Sequence, residues 1–372
     1  MVNSRLSAED LVARFARRGY LRVEPPVLQP ADIFLDQSGE NFRRRMFITT
    51  DAEGRELALR PEFTIPVVRL YLAQESHGQE ARYSYCGRVF RMQSGSPGEF
   101  VQAGIESFGR NDLAAADSEI MGLALEGLRA FGIDEPVIQM GDMGLFSALL
   151  NALDLPAPVL RRLKRAFAKG QLSAGTLDQV LDDRGREDAT LTGLSSALSG
   201  IDPVTARQLV EDLLKIAGIS TVGGRSNAEI ADRLLERAEQ GQSVVPERTR
   251  ALLSDYLSIS GDPDTASAAL HALMQREQIA LEDAVSRFDE RNGFLHLSGI
   301  ELDRIRFATA FGRDLDYYTG LVFEMRAAHQ PESGPLVGGG RYDRLAQSLG
   351  ASVPVPAVGC SVFMDRLLGV AA

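Results

Sequence analysis

The chain has 372 residues, of which 44% are hydrophobic and 24% charged, and its formal net charge is -11. This composition is typical of a globular protein, and the negative charge disfavours a broad surface for a nucleic-acid backbone. The apolar runs are too short to span a membrane, and Met1 to Arg18 lacks the apolar segment of a signal peptide. We therefore expect a cytoplasmic protein.

Neither a metal site nor a disulfide framework is expected. The chain has two cysteines, Cys86 and Cys360, and its four histidines are scattered without the spacing of metal ligands. We expect reduced thiols, no metal and no cofactor.

The N-terminal part predicts a helix and then short strands. Ser7 and Asp10 form a capping box ahead of an amphipathic segment that ends before Gly19, which predicts a helix. Two β-rich runs, Met46 to Thr49 and Glu56 to Arg60, are separated by turn residues and predict a hairpin.

Longer strands follow, and then a long helical segment. Tyr83 to Arg91 and Phe100 to Phe108 flank a turn-forming loop, which predicts an antiparallel pair. From Gly141 to about Phe288 almost every periodic segment is helical, and strand-like sequence returns from Ile305. The pattern predicts an α+β fold whose strand-rich core is interrupted by a mostly helical insertion.

Basic residues cluster within that insertion. They recur at helical spacing: Arg161, Arg162, Lys164, Arg165 and Lys169. Such a cluster could form a local patch for RNA, but it is more typical of a solvated helix face.

The fragment LRPEFT places a carboxylate and a hydroxyl at the start of a predicted helix. Glu62 and Thr64 lie side by side there, where they could hold an ammonium group. Acidic and hydroxyl residues are also common at helix starts, so a helix cap is the alternative interpretation.

A second polar set lies on the predicted antiparallel pair. Residues four apart on a strand face the same side, so Gln102 and Glu106 are expected to share one pocket wall, with Gly104 leaving room for a ligand. Arg91, opposite two acceptors, would suit a bound zwitterion. A cross-strand ion pair on a solvated sheet face is the alternative.

Two further fragments lie near the C-terminal end. GRDLDYYTG contributes Arg313, Tyr317 and Tyr318, and on a strand the two tyrosines would point to opposite faces, so only one could line a pocket. GGGRYD, which begins at Gly338, contributes Tyr342. Its glycines lack the spacing of a phosphate-binding loop, and close backbone approach explains them better.

In this order, the four fragments resemble the catalytic core of class II aminoacyl-tRNA synthetases of the histidyl type. The resemblance covers about Ser7 to Phe131 and Ile305 to Val370. It implies a six-stranded antiparallel sheet flanked by helices, and a dimer formed through Tyr20 to Gln29. The core is then expected over residues 1–140 and 289–372, with the mostly helical insertion over 141–288.

The resemblance also implies a pocket for histidine. The residues that match this pocket are Glu62, Thr64, Arg91, Gln102, Glu106, Arg313, Tyr317, Tyr318 and Tyr342. In that family, Glu62, Thr64 and Gln102 match groups that hold the α-ammonium. Glu106 and Tyr318 match contacts of the imidazole, and Tyr342 matches a further pocket residue. Arg91 and Arg313 match arginines that face the carboxylate and the reacting phosphate.

The nucleotide side departs from the synthetase pattern. Gln93 replaces a glutamate that contacts the adenine amino group, and the loop from Ser94 to Gly98 lacks the arginines that brace the ATP phosphates. Phe363 stands in place of a glycine, so its ring would fill space needed by the nucleotide, although Arg366 of the same motif is retained. Because the chain ends at Ala372, we expect no anticodon-binding domain.

A synthetase-like chain that has a histidine pocket but lacks a complete nucleotide site resembles the regulatory subunits of ATP phosphoribosyltransferase. This resemblance implies a non-catalytic protein, needed with the short catalytic subunit for the first step of histidine biosynthesis and for feedback inhibition by L-histidine. It also implies a homodimer within a hetero-octamer, with neither a membrane nor tRNA as partner, and no catalytic residue. Two alternatives are a truncated histidyl-tRNA synthetase or histidine-activating ligase, and a scaffold that does not bind histidine.

Overall fold

A nine-stranded sheet forms the centre of the computed structural model. The structure describes residues 6–35, 43, 45–74, 78–92, 97–182, 205, 208–209, 212, 245–313 and 317–371.

The first half of the chain contains most of the longer strands together with several helices, and helices predominate in the middle. The strands are β1 Leu21–Arg22, β2 Leu28–Pro30, β3 Ile48–Thr50, β4 Glu56–Leu59, β5 Ala81–Phe90, β6 Glu99–Phe108, β7 Val137–Asp142, β8 Ser260–Gly261, β9 Ile305–Ala308, β10 Leu321–Arg326, β11 Val337–Arg341 and β12 Ala357–Phe363. The α-helices are α1 Ala8–Arg17, α2 Thr64–Leu72, α3 Leu113–Ala130, α4 Met143–Ala152, α5 Ala157–Ala168, α6 Leu177–Asp182, α7 Glu247–Leu257, α8 Pro263–Glu277, α9 Glu282–Leu297, α10 Leu345–Ser348 and α11 Met364–Val370.

The large sheet is mixed. Its strand order is β1-β5-β6-β12-β11-β10-β7-β9-β8, and β2-β4-β3 form a separate small sheet. All pairs from β5 to β7 are antiparallel, whereas β1 pairs parallel with β5 and β7 pairs parallel with β9. The expectation of a purely antiparallel sheet is therefore corrected in its outer part, while the α+β arrangement of sheet and flanking helices is confirmed.

The predictions that rest on local signals are confirmed. The backbone N–H of Ser7 donates to the Asp10 carboxylate at 2.7 Å, which completes the capping box of α1. β3 and β4 form the predicted hairpin, and β5 and β6 form the predicted antiparallel pair over ten residues each. In each case, neighbouring residues in the chain carried the signal.

Apolar side chains cover both faces of the sheet. One cluster joins α1 and α3 to the sheet through residues such as Leu11, Phe15 and Ile120. A second cluster joins α2 to the opposite face, where the rings of Tyr71 and Phe108 stack with their centroids 4.7 Å apart. Polar residues of the central strands are therefore held in an apolar surrounding, where an unpaired polar group is costly.

The GRDLDYYTG fragment does not form a strand where the structure describes it. β9 ends at Ala308 and β10 begins at Leu321, so Arg313, Tyr317 and Tyr318 lie in the connection between them. Residues 314–316 lie outside the described residues. The glycines of GGGRYD, by contrast, do lie on a strand, β11.

Between β7 and β9, the described elements are the helices α4 to α9 and the two-residue strand β8. Most of residues 183–244 lie outside the described part of the chain, and the domain boundaries stay a prediction.

Of the helices that the structure describes, none is long and apolar enough to cross a bilayer. Within the same residues, no three His, Cys, Asp or Glu side chains are grouped to hold a metal ion. Both cysteines are free.

Candidate functional site

A cavity of about 170 Å³ lies where β6, β10, β11 and β12 meet the start of α2 and the tyrosine connection. Eight of the nine residues predicted for the histidine pocket line it: Glu62, Thr64, Arg91, Gln102, Arg313, Tyr317, Tyr318 and Tyr342. The structure thus brings together side chains that are up to 280 positions apart in the sequence, as the difference between Glu62 and Tyr342 shows.

Glu62 both caps α2 and lines the cavity. Its carboxylate accepts hydrogen bonds from the backbone N–H groups of Thr64 at 2.6 Å and Ile65 at 2.9 Å. The alternative interpretation of a helix cap is therefore correct, and it does not exclude a second role for the same side chain. Burial raises the pKa of Glu62, and the two backbone donors and the Arg91 charge oppose that shift.

Glu106 lies behind the cavity wall, although the sequence predicted that it would be part of the wall. Hydroxyls of Thr64, at 2.9 Å, and Tyr85, at 3.2 Å, donate to its Oε1, and the Tyr342 hydroxyl donates to its Oε2. The carboxylate packs against Gly359, where any Cβ atom would collide with it. Glu106 therefore fixes Thr64 and Tyr342, which do line the cavity.

Burial raises the pKa of Glu106 to about 8, although the hydrogen bonds from Tyr342 and Thr64 lower it. At neutral pH the carboxyl group is consequently largely protonated. It contributes little negative charge to the cavity, and Glu62 and Glu324 are the acidic side chains of the wall.

Gly104 does not leave room for a ligand, which corrects the prediction. A Cβ atom there would collide with the Tyr85 hydroxyl and with the carbonyl oxygen of Cys360 on β12. The missing side chain accommodates a tyrosine of the neighbouring strand instead.

Gln102 has an acceptor that the protein leaves unused. The residue is 1% exposed and lines the cavity, and its Oε1 has no hydrogen-bond partner among the described residues. A buried acceptor without a donor costs about 1–3 kcal/mol, so such groups usually have a partner. The side chain lies in the wall of the cavity, so the unused acceptor belongs to the site.

Arg91 lies just beyond β5 and brings positive charge to the cavity. Its Nε donates to the carbonyl oxygen of Pro61 at 2.6 Å, and its guanidinium lies 5.4 Å from the ring centroid of Phe100. Burial lowers its pKa to about 10, so the group stays charged at neutral pH. The arrangement differs from the cross-strand ion pair on a solvated face that was the alternative.

Arg313 brings a second positive charge and explains one glycine. Its Nε lies 3.5 Å from the Glu324 carboxylate, and its Nη1 donates to the Phe323 carbonyl oxygen at the long distance of 3.5 Å. The guanidinium lies directly on Gly338, where a Cβ atom would collide with it. Close approach of a side chain is therefore the reason for this glycine. The predicted close approach to a neighbouring strand holds instead for Gly339 and Gly340, where a Cβ atom would collide with backbone oxygens of β12 and β10.

Both tyrosines of the connection line the cavity, so the prediction that only one could do so was wrong. The ring centroids of Tyr317 and Tyr318 are 4.9 Å apart, and that of Tyr342 lies 5.8 Å from Tyr317. Alternation between faces holds for strands, and this segment is irregular. Three aromatic rings thus form one side of the cavity.

Phe363 closes another side of the cavity. Its ring stacks near Phe100, with centroids 6.1 Å apart, and the Arg366 guanidinium lies 4.6 Å from its centroid. Arg366 also donates to the Pro335 carbonyl oxygen at 3.0 Å and does not line the cavity. The retained arginine of this motif is thus held by protein groups. Gln93, predicted to replace the adenine-binding glutamate, lies outside the described residues.

Sequence reasoning missed several wall residues. They are Arg45, Glu324, Gly359, Cys360 and Ser361. A signal for Glu324 was present, since it is the single carboxylate within the apolar strand LVFEMR. Gly359, Cys360 and Ser361 lie on β12, which reaches the cavity through its pairing with β6 and β11. Arg45 lies just before β3 and carried no local signal.

Comparisons with known proteins identify the family of this chain. The histidyl-tRNA synthetase family profile matches residues 3–213 and 204–367. The ATP phosphoribosyltransferase regulatory subunit of Brucella canis is 39% identical over 350 residues, which are 94% of this chain and 93% of that protein. The protein of the same name from Brucella anthropi is 41% identical over 352 residues, 93% of this chain and 92% of that one.

The chain belongs to the histidyl-tRNA synthetase-like family of ATP phosphoribosyltransferase regulatory subunits. The expected family is thereby confirmed.

Solved structures confirm the fold. A Bacillus halodurans protein described as an ATP phosphoribosyltransferase regulatory subunit/histidyl-tRNA synthetase superposes with a TM-score of 0.66 at 21% identity, covering 100% of this chain and 82% of that one. A histidine–tRNA ligase subunit from Alicyclobacillus acidocaldarius gives 0.57 at 25% identity, covering 98% and 91%. The first likeness, at its low identity, concerns the fold alone.

Proposed function

We propose that this chain is a non-catalytic regulatory subunit that acts with the short catalytic subunit of ATP phosphoribosyltransferase in the first step of histidine biosynthesis. The names of relatives that are 39% and 41% identical over nearly their whole lengths support this function. The same biosynthetic role and the two free cysteines support a cytoplasmic location.

We further propose that the cavity binds free L-histidine. The observation that carries this step is the buried, unpartnered Oε1 of Gln102 in a wall that also presents three arginines. The Gln102 oxygen and Glu62 suit the α-ammonium, and Arg91 and Arg313 suit the α-carboxylate. The aromatic side formed by Tyr317, Tyr318 and Tyr342 suits a planar imidazole ring.

Glu106 enters this pocket through its hydroxyl partners. Because its carboxyl oxygens accept hydrogen bonds from the Thr64 and Tyr342 hydroxyls, Glu106 fixes the orientation of these two hydroxyl groups in the cavity wall. In this interpretation, Glu106 positions the groups that contact histidine. Its expected direct contact with the imidazole stays a prediction.

The nucleotide side supports a role without catalysis. Adenylate formation depends on positioned cations that stabilise the charge of the reacting phosphates. Phe363 occupies one side of the small cavity, and Arg366 is held by Phe363 and Pro335. We therefore assign no catalytic residue to this chain.

Feedback inhibition would follow if histidine binds one arrangement of the complex more tightly than another. A difference in binding free energy of about 1–3 kcal/mol would change activity by roughly five- to 150-fold. The buried charges of the pocket are suited to such a difference, because a small shift of Arg91 or Arg313 alters their distance to the ligand.

A homodimer within a hetero-octamer is part of the same proposal. The segment Tyr20 to Gln29 contains three exposed large apolar residues, Leu21 at 64%, Val27 at 40% and Leu28 at 47% exposure. Apolar residues grouped in this way are typical of a surface that is covered in an assembly.

The direct test is reconstitution. The chain is co-purified with a short-form ATP phosphoribosyltransferase, and activity is measured with and without histidine. We expect a stable complex, activity that requires this chain, and inhibition by histidine. A catalytic subunit that is equally active alone, or that does not associate with this chain, would refute the proposal.

A histidine-activating ligase is the second candidate, because Arg91 and Arg313 remain in the cavity. Histidine-dependent exchange between ATP and pyrophosphate separates the two functions, since only an adenylating enzyme catalyses it. A scaffold without a histidine site would show normal activation of the transferase but no heat of histidine binding in calorimetry.

A further inference from the structure

A second and larger cavity of about 1190 Å³ lies on the other side of the tyrosine connection. Tyr317 and Tyr318 line both cavities. The other walls come from α4, α5 and α9, from the start of α3, and from the residues that follow β11. Nothing in the proposed histidine site accounts for this space.

The floor of the second cavity is a network of buried charges. Arg341 donates to Asp117 at 2.9 Å and to Asp343 at 2.9 Å, and Arg291 donates to Asp142 at 2.5 Å. Within the floor, three carboxylates face two arginines, so the floor itself carries no surplus of positive charge. The Asp142 side chain also caps α4, since it accepts from the backbone N–H groups of Gly144 and Leu145.

The rim above this floor is strongly basic. Five exposed cationic side chains surround it: Arg161, Lys164 and Arg165 on α5, Arg287 on α9, and Arg344 after β11. The rim has two acidic residues, Asp112 and Glu290. Asp112 pairs with Arg110 at 2.5 Å, so Glu290 remains as the acidic residue that can offset the charge of the rim cations. A surplus of positive charge is thus concentrated at one cavity of a chain whose net charge is -11.

The basic face of α5, expected to be a solvated helix face, is therefore one wall of a concave site. Residues 161, 164 and 165 follow the i, i+3 and i+4 spacing that places side chains on one helix face. Lys164, Arg165, Arg287 and Arg344 form no ion pair with any residue that the structure describes.

One buried donor of the floor also has no acceptor. Arg291 is 4% exposed and lines the cavity, and its Nε–H has no hydrogen-bond partner in the described residues. A buried guanidinium donor is normally satisfied, so the floor is short of acceptors at this point.

We propose that the second cavity is a binding site for a small molecule that carries at least two phosphate groups. Cations on separate helices, α5 and α9, can contact different phosphates of one ligand, and Arg291 supplies a donor at the floor. A concave site with a buried floor suits a small ligand better than a nucleic-acid duplex, which requires an extended basic surface.

The experiment uses the full chain and inorganic pyrophosphate as the probe, with affinity measured by calorimetry. We expect binding at one site per chain. Arg287→Ala and the double variant Lys164→Ala/Arg165→Ala, which change opposite walls, should each weaken binding by about tenfold or more. The matched control is Lys169→Ala, because Lys169 is an exposed cation next to α5 that does not line the cavity. Its affinity should equal that of the unchanged chain.

Three results would overturn the proposal. One is the absence of pyrophosphate binding at millimolar concentration. Another is binding that Arg287→Ala and the double variant leave unchanged, which would assign pyrophosphate to the first cavity or to no defined site. The third is a single-stranded RNA that binds more tightly than pyrophosphate and is weakened by the same variants. Since the changed side chains are exposed, unchanged thermal unfolding verifies that each variant is folded.

Discussion

The buried Arg341 and the half-buried arginines of the first cavity differ in how the protein satisfies them. Arg341 uses Nε, Nη1 and Nη2 on Asp117, Asp343 and the Leu113 carbonyl oxygen, at 2.9 Å in each case. Arg91, in the first cavity, donates through Nε to a carbonyl oxygen, and the contacts of Arg313 are both 3.5 Å long. Protein acceptors therefore satisfy Arg341 closely, whereas Arg91 and Arg313 have fewer or longer contacts with the protein.

The difference separates a structural role from a binding role. An arginine whose donors all reach protein acceptors holds elements together, here α3, β11 and the segment after β11. An arginine whose planar donor face is directed at a cavity with few acceptors is suited to a carboxylate or phosphate from outside. The unpartnered oxygen of Gln102 in the same wall supports the second role for Arg91 and Arg313.

The largest expected effect on the free energy of unfolding concerns Asp117, which pairs with both Arg341 and Arg291. Replacing Asp117 with Ala leaves Arg341 and Arg291 without their shared carboxylate, and breaking a buried pair in this way typically costs about 3–5 kcal/mol. Urea denaturation measures the loss in the free energy of unfolding. Asp255→Ala is the matched control, because its pair with Arg276 is exposed and should contribute no more than about 1 kcal/mol. Equal losses in the two variants would contradict the structural role of Asp117.

The next effect concerns ligand binding. Gln102→Met keeps the size of the side chain and removes the unpartnered acceptor, so no protein hydrogen bond to Oε1 is lost. We expect histidine affinity to fall by roughly 10- to 150-fold, which corresponds to about 1.5–3 kcal/mol for a hydrogen bond to a charged group. The free energy of unfolding should not decrease. Calorimetry and urea denaturation of the same preparation test both statements, and unchanged affinity would show that the oxygen does not contact the ligand.

A third effect is a pH dependence that comes from Glu106. Its pKa is about 8 in the folded chain, against an ordinary value of 4.5, so the folded state binds the proton more tightly. The free energy of unfolding should therefore decrease as pH rises from about 4.5 to 8. Glu106→Gln does not titrate and should lose less stability between pH 5 and pH 8, by about 1–3 kcal/mol. Identical pH profiles of the two proteins would place the Glu106 pKa near its ordinary value.

The smallest expected effects come from alanine substitutions at two glycines, Gly338 and Gly122. Gly338→Ala would displace the Arg313 guanidinium and should weaken histidine binding by about tenfold. At Gly122 in α3, a Cβ atom meets nothing within 4 Å, so Gly122→Ala should stabilise the chain by about 0.5–1 kcal/mol and leave binding unchanged. Thermal unfolding and calorimetry check the pair. Weaker binding in the Gly122 variant would indicate that the loss at Gly338 is unspecific.

The sequence predicted elements whose signals are local. The Ser7 capping box, the β3–β4 hairpin and the β5–β6 pair are each specified by neighbouring residues. The pocket residues could be predicted because four separate fragments resemble one family. The errors arose where a distant element decides the outcome. The space beside Gly104 is filled by Tyr85 and by β12. The pairing of β10 with its neighbours brings Glu324 close to Arg313.

The tyrosine connection shows the same limit. GRDLDYYTG has the residue types of a strand, but it lies between strands and presents both Tyr317 and Tyr318 to the cavity. No period in the sequence could indicate this, because an irregular segment has no fixed alternation of faces. The second cavity was also hidden, since its lining combines helices α5 and α9, which are far apart in the sequence.

The most direct measurement is a calorimetric titration of the full chain with histidine and with histamine, which lacks the carboxylate. If Arg91 and Arg313 bind the carboxylate of a free amino acid, histidine binds at one site per chain and histamine binds at least about tenfold more weakly. Equal affinities for the two compounds, or no histidine binding to either the chain or its complex with the catalytic subunit, would contradict the account.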